Sequence, residues 1–159
     1  MEQRYKTRNP KEVKEAISKV TDALGYPLDK DIIRAVVILN SLGLKTRQSC
    51  QGHLRRYNTY PWIALKWDAE KTPEYYKESR KIFFNTIFKD LEEFYQDRKV
   101  TYENILSFKF LDEKQLNVDL SSITNLKIFD KDRKRKLQEQ FKELSDFCEY
   151  LNKKYHLDY

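Results

Sequence analysis

The apolar residues in the first quarter of the chain recur at helical spacing and predict two helices. The first begins after Asn9-Pro10, an N-cap followed by a proline at the first helical position, and it ends at Gly25. The second follows a cap at Asp29 or Asp31 and ends at Gly43. Because this second helix is apolar around most of its circumference, we expect it to be the central buried helix. Its apolar residues are Ile32, Ile33, Val36, Val37 and Leu39.

Shorter runs of alternating apolar and polar residues predict strands in the middle of the chain. Residues 44–49 and 62–67 form one pair of such runs, the second starting after Pro61. Residues 105–111 and 115–120 alternate around a turn at 112–114, which predicts a β-hairpin. A short extended piece is expected at residues 126–129.

Two longer helices complete the pattern, one at residues 72–98 and one at residues 130–155. The apolar stripe of the last helix steps by four and three residues, as expected for a helix that packs across a sheet. That stripe is Leu137, Phe141, Leu144, Cys148, Leu151 and Tyr155. We therefore predict a single α+β domain over residues 1–159, with a small antiparallel or mixed sheet packed by about four helices.

Composition limits the function classes. The chain has 159 residues, 40% of them apolar, which suits one packed core. It contains no run near the roughly 20 apolar residues of a membrane span, and no secretory signal is apparent. Two cysteines do not form a disulfide framework, so we expect a cytoplasmic protein without a membrane partner. A net charge of +6 is compatible with a polyanionic partner.

The most reactive side chains lie in the run Ser49-Cys50-Gln51-Gly52-His53, between two predicted strands. We expect Gly52 to adopt a positive φ, which would let backbone N–H groups converge on an anion. Ser49 can donate to a phosphate or carboxylate, and His53 can act as an acid or base near neutral pH. His53 and Cys50 are the candidate catalytic residues. The alternative is a tight turn whose glycine serves geometry alone.

Basic and aromatic residues surround this run. Arg47, Arg55 and Arg56 supply charge suited to phosphate, and Tyr60 and Trp62 could stack on a base. Together with Ser49 and Gly52, these residues are the predicted ligand-binding set. The ligand expected from them is a nucleotide-like small molecule or RNA.

The same run could support two other chemistries, zinc binding and nucleophilic catalysis. Cys50 and His53 have a C-x-x-H spacing that can place two ligands on one zinc ion. Completing a tetrahedron would need Cys148, His156 or carboxylates. Cys148 fits the apolar stripe of the last helix, and His156 lies about 12 Å further along it, so we predict no metal site. Cys50 could also act as a nucleophile activated by His53, although the sequence identifies no aspartate or asparagine partner.

Over residues 31–65 the sequence resembles the wybutosine-synthesis methyltransferase family. Members of that family modify a guanosine of phenylalanine tRNA with S-adenosylmethionine, and their loop reads approximately T-x-S-S-C-S-G-R. Gln48 here replaces the first serine of that loop, and His53 replaces its arginine. The S-C-x-G-H version also resembles uncharacterised bacterial and mobile-element proteins. The matching positions are Thr46, Ser49, Cys50 and Gly52.

These observations lead to one main functional expectation and two alternatives. We expect a nucleotide-binding or RNA-binding protein that uses the Ser49–His53 loop. The resemblance implies RNA modification by methyl transfer, with S-adenosylmethionine as the cofactor. The alternatives are a non-catalytic protein of a mobile element that binds or sequesters a partner, and a phosphoesterase assisted by His53. Whether the protein is an enzyme is left open by the sequence.

Overall fold

The computed structural model describes residues 5, 7–21, 25–53, 60–66, 73–111, 117–124, 126 and 131–159, and at 73–83 and 117 it describes the backbone alone. These residues form four α-helices and one four-stranded antiparallel sheet, which confirms the predicted α+β class. The predicted turn at 112–114, most of the predicted extended piece at 126–129, and both Arg55 and Arg56 lie outside the described residues.

Helix α1 (Pro10–Ser18) begins where the sequence predicts, because the Asn9 side chain accepts a hydrogen bond from the Lys11 N–H. Its predicted end at Gly25 is wrong. Thr21 instead pairs with Pro27 in an isolated antiparallel bridge, so the chain turns away from the helix well before the glycine. Val20 and Thr21 are β-branched and lose rotamer freedom in a helix, which favours this early exit.

Helix α2 (Ile33–Ser41) is the central helix, as predicted. Five consecutive residues, 35–39, are each at most 4% exposed. Gly43 ends it with φ +82°: its N–H bonds to the Asn40 carbonyl, and the Leu44 N–H bonds to the Leu39 carbonyl. The predicted cap at Asp29 or Asp31 is wrong, because the N-cap position is Ile32 and no side chain caps it.

The sheet has the strand order β1-β2-β4-β3 and every neighbouring pair is antiparallel. The predicted pairing of β3 with β4 is therefore confirmed, and the two other predicted strands, β1 and β2, pair with each other. The strands are β1 (Thr46–Cys50), β2 (Trp62–Lys66), β3 (Leu106–Phe110) and β4 (Asn117–Ser122).

The pairing register gives the sheet two chemically different faces. The first face packs against the helices and carries Ile63, Leu65, Val118 and Leu120, each 0% exposed. The second face is more polar. One row across the strands contains Cys50, Trp62, Ser121 and Ser107. The next row contains Gln48, Ala64, Asp119 and Lys109.

Helices α3 (Pro73–Tyr95) and α4 (Arg133–Lys154) complete the core on the first face. Ion pairs join the two helices along their length: Arg98, just beyond α3, binds the Glu143 carboxylate through two hydrogen bonds, and Lys154 binds the buried Asp90. Among the described residues, no helix is both long and apolar enough to cross a membrane.

An open apolar cleft of about 720 Å³ lies between the end of α3 and the edge strand β3. Phe88, Tyr95, Phe108 and Phe110 contribute aromatic surface to it. This cleft is separate from the residues that the sequence predicts as a site.

Candidate functional site

The predicted site lies where β1 ends and the chain turns toward β2. Gly52 has φ +87°, as expected from the sequence, and it is buried. A Cβ atom at this position would overlap Leu137 Cδ1 and would lie 3.3 Å from the backbone of Tyr60 and Pro61. Gly52 is therefore required both by backbone conformation and by the close approach of α4.

Asp29, Cys50 and His53 form one cluster at this turn. The candidate ligand atoms of the three side chains all lie within 4.8 Å of one another, and His53 Nε2 is 3.3 Å from Asp29 Oδ2. The Asp29 and His53 side chains are 29% and 28% exposed, whereas Cys50 is 8% exposed. The two candidate catalytic residues are thus adjacent, and an aspartate joins them.

Backbone hydrogen bonds hold the cluster in place. The Gln51 N–H donates to Asp29 Oδ2 at 3.2 Å, and the Gly52 N–H donates to Cys50 Sγ at 3.4 Å. Both N–H groups are used inside the cluster, the first by the carboxylate of Asp29, so their convergence on the anion of a ligand stays a prediction. In return, the Gln51 side-chain oxygen accepts from the Asp31 N–H at 3.0 Å, which ties the loop to the start of α2.

The first turns of α4 pack directly against the loop. Arg133 Nη2 donates to the His53 carbonyl at 2.9 Å, and Leu137 on the same side of the helix covers Gly52. The basic run at residues 131–136 therefore lies beside a loop that is distant from it in sequence. Lys131 and Lys134 of this run are exposed and form no ion pair with any described residue.

Tyr60 and Trp62 continue the site onto the second face of the sheet. Burial raises the pKa of the Tyr60 phenol, and the neighbouring charges of Asp119 and Cys50 raise it further. Burial also raises the pKa of Asp119, and Lys109 offsets this in part. Side-chain oxygens of Ser107, Asp119 and Ser121 are buried there without a hydrogen-bond partner among the described residues.

Two residues of the predicted set occupy different positions from the rest. Ser49 pairs with Ile63 in the sheet, so it lies on the first face, and its buried Oγ has no hydrogen-bond partner among the described residues. Arg47 is exposed on β1.

Cys148 is 1% exposed in the core, as the apolar stripe predicts, and burial raises its pKa.

Sequence reasoning missed Asp29, Arg133 and the polar oxygens of β3 and β4. Asp29 was expected to act as a helix cap, and Arg133 was expected only as part of the last helix. Only the fold brings these residues to the loop. No protein-family model, curated protein or solved structure matches the chain, so the resemblance over residues 31–65 stays a hypothesis.

Proposed function

We propose that the protein binds a nucleotide or a segment of single-stranded RNA at the loop end, the surface made by Ser49–His53, Tyr60, Trp62 and the first turns of α4. The observation that carries this proposal is the hydrogen bond from Arg133 to the His53 carbonyl. That contact places the basic run of α4 beside the only loop in which sequence reasoning found candidate ligand-binding chemistry.

The phosphate groups of such a ligand are attracted by the basic residues around the loop. Lys131 and Lys134 stand on either side of Arg133 in the sequence and are exposed without a described ion pair, and Arg47 is exposed on β1. The start of α4 adds a positive partial charge, since the side chain of its N-cap residue, Asp132, makes no capping hydrogen bond. Arg55 and Arg56 follow His53 in the sequence and keep their expected role in binding phosphate.

The base of the ligand binds beside the aromatic residues and the row of the second face that contains Ser121 and Ser107. A base stacked on an aromatic side chain gains about 1–3 kcal/mol of binding free energy. Trp62 is half-buried and pairs directly with Ser121, which pairs with Ser107. Both hydroxyl groups are buried without a described partner, so a base or ribose that gains access to them would satisfy them.

A second candidate function is phosphoester chemistry assisted by His53. The observation that favours it is the 3.3 Å separation of His53 Nε2 and Asp29 Oδ2, since a carboxylate beside a histidine orients the imidazole ring. Methyl transfer from S-adenosylmethionine is the reaction that the sequence resemblance implies. Binding without catalysis is the remaining alternative.

The proposal is tested by measuring RNA affinity over a series of salt concentrations. The probe is a labelled single-stranded RNA of about twelve nucleotides, and the variant is Lys131→Gln/Lys134→Gln. The matched control, Lys11→Gln/Lys14→Gln, removes the same charge from exposed positions on α1. We expect the first variant to reduce the salt slope by about 1.4, at about 0.7 per phosphate contact on a single strand.

An equal reduction in both double variants would show that only net charge matters and would contradict the proposed surface. Competition by a free nucleoside monophosphate separates the two ligand classes. Displacement of the RNA would identify a nucleotide site, and no displacement would identify an extended RNA site. Calorimetric titration with S-adenosylmethionine tests the cofactor that the resemblance implies.

A further inference from the structure

We propose that Asp29, Cys50 and His53 bind a zinc ion. The three side chains offer an oxygen, a sulfur and a nitrogen, and those atoms already lie within 4.8 Å of one another. Carboxylate, thiolate and imidazole are the three side-chain ligands that zinc uses most often in proteins. The sequence predicted no metal site because it offered no third ligand near Cys50 and His53, and the fold supplies Asp29.

The measured spacing fits tetrahedral coordination. Two oxygen or nitrogen ligands, each about 2.1 Å from a tetrahedral ion, are about 3.4 Å apart. His53 Nε2 and Asp29 Oδ2 are 3.3 Å apart. The sulfur of Cys50 needs to lie at a slightly larger separation from each of them, and it lies within 4.8 Å of both ligand atoms.

Hydrogen bonds from the backbone support two of the ligands, and one from a side chain supports the third residue, as the outer shell of a metal site does. Asp29 Oδ2 accepts from the Gln51 N–H, and Cys50 Sγ accepts from the Gly52 N–H. The His53 carbonyl accepts from Arg133, which fixes the backbone that carries the imidazole. Three different parts of the chain, the segment before α2, the end of β1 and the start of α4, therefore hold the ligand set.

Burial favours a metal ligand over a free nucleophile at Cys50. Reactive cysteines are partly exposed, whereas Cys50 is 8% exposed. Asp29 and His53 are each nearly one-third exposed, so the open side of the cluster faces solvent. Three protein ligands with an open side are typical of zinc sites whose fourth position holds water or another small ligand.

The site also removes an electrostatic conflict from the loop end. The Asp29 carboxylate repels the phosphate groups that the basic residues of the loop end attract. A zinc ion cancels the negative charge of this carboxylate and of the Cys50 thiolate that forms when the metal binds. Metal binding is nevertheless proposed independently of RNA binding, and it is tested without RNA.

The experiment is titration of the full chain, stripped of metal with a chelator, first with Co²⁺ and then with Zn²⁺. We expect one Co²⁺ per chain, with visible bands of a tetrahedral site and a thiolate-to-cobalt absorption in the near ultraviolet, displaced by Zn²⁺. Cys50→Ser should abolish the thiolate absorption. Asp29→Asn and His53→Gln should each weaken Co²⁺ binding at least about tenfold.

The chain offers matched controls, because it has only two cysteines and two histidines. Cys148→Ala and His156→Asn should bind Co²⁺ with the wild-type spectrum. Asparagine suits residue 156 because that position has φ +51°. Circular dichroism confirms that each variant is folded. Absence of Co²⁺ binding by the folded wild-type chain, or an unchanged spectrum in Cys50→Ser, would overturn the proposal.

Discussion

Leu137 lies directly over Gly52, and its Cδ1 atom occupies the space that a side chain at position 52 would need. This contact joins the start of α4 to the turn after β1. It is short because Gly52 has no side chain and a φ of +87°. The geometry of the loop end therefore depends on one residue pair that is widely separated in sequence.

Replacing Gly52 with alanine should destabilise the protein more than the same change at Gly25. Both glycines have positive φ, so each substitution costs about 1 kcal/mol of backbone strain. A Cβ at Gly25 meets nothing within 4 Å, whereas one at Gly52 meets Leu137 and the backbone of Tyr60 and Pro61. We expect Gly52→Ala to cost about 2–4 kcal/mol in the free energy of unfolding.

Chemical denaturation of both variants measures this difference. Adding Leu137→Ala to Gly52→Ala should restore part of the lost stability, since the overlap with Cδ1 is then removed. Equal costs at positions 52 and 25 would mean that α4 does not pack on the loop as described.

Ser121→Ala should leave the protein as stable as the wild type or more stable, while lowering its affinity for RNA. The Ser121 hydroxyl is buried without a described partner, so its removal relieves an unsatisfied polar group. If that hydroxyl contacts the ligand, the variant should bind RNA about fivefold to tenfold more weakly. Thermal unfolding and fluorescence anisotropy give the two readouts.

Ser122→Ala is the matched control on the same strand. Ser122 is equally buried, but its hydroxyl donates to the Asn104 carbonyl at 3.3 Å. Its loss should cost about 1 kcal/mol of stability and leave RNA affinity unchanged. A loss of stability in Ser121→Ala with unaltered binding would remove the polar row from the ligand site.

The stability of the protein should fall in acid partly through Asp146. Burial alone would raise the pKa of this carboxyl, but hydrogen bonds from Lys142 and Arg98 outweigh burial and hold the pKa below its ordinary value. A carboxyl whose pKa is lower in the folded state stabilises the fold above its unfolded pKa. That contribution is lost as the pH falls through the folded pKa.

Asp146→Asn should therefore cost about 1 kcal/mol at neutral pH and should lose less stability than the wild type on acidification. Asp132→Asn is the control, because Asp132 is 66% exposed and pairs only with Arg135 at 3.5 Å among the described residues. Unfolding curves from pH 7 to pH 3 make the comparison. Identical pH profiles for Asp146→Asn and the wild type would contradict the assigned ion pair.

Removing zinc should weaken RNA binding if the proposed metal site is occupied in the native protein. The bare Asp29 carboxylate would then face the phosphates beside the basic run. We expect the chelator-treated protein to bind RNA several-fold more weakly at low salt, with recovery on adding Zn²⁺. The Cys50→Ser variant should show no response to either treatment, and a chelator effect in that variant would assign the loss to another cause.

Periodic patterns predicted the elements that rest on local signals. A short stretch of sequence is enough to predict the apolar circumference of α2 and the glycine at its end. The same is true of the alternation in β3 and β4. The early end of α1 was missed because Pro27, just beyond the predicted end at Gly25, pairs with Thr21 and competes with the helix. The local sequence predicted that Asp29 caps α2, but the Asp29 carboxylate instead accepts a hydrogen bond from the loop 22 residues further on.

The candidate site was only half predictable for the same reason. Cys50, Gly52 and His53 stand together in the sequence, whereas Asp29 and Arg133 reach them through the packing of α2 and α4. Only the fold shows that Asp29 accepts the Gln51 N–H, because the two residues are 22 positions apart in the sequence.

The most direct test of the central claim is ultraviolet cross-linking of the labelled RNA to the full chain, with adducts mapped by mass spectrometry. If RNA binds at the loop end, adducts should concentrate on the tryptic peptide of residues 57–66, which carries Tyr60 and Trp62. They should diminish in Trp62→Ala. Adducts confined to peptides that line the cleft between α3 and β3, such as the one with Phe108, would contradict the account.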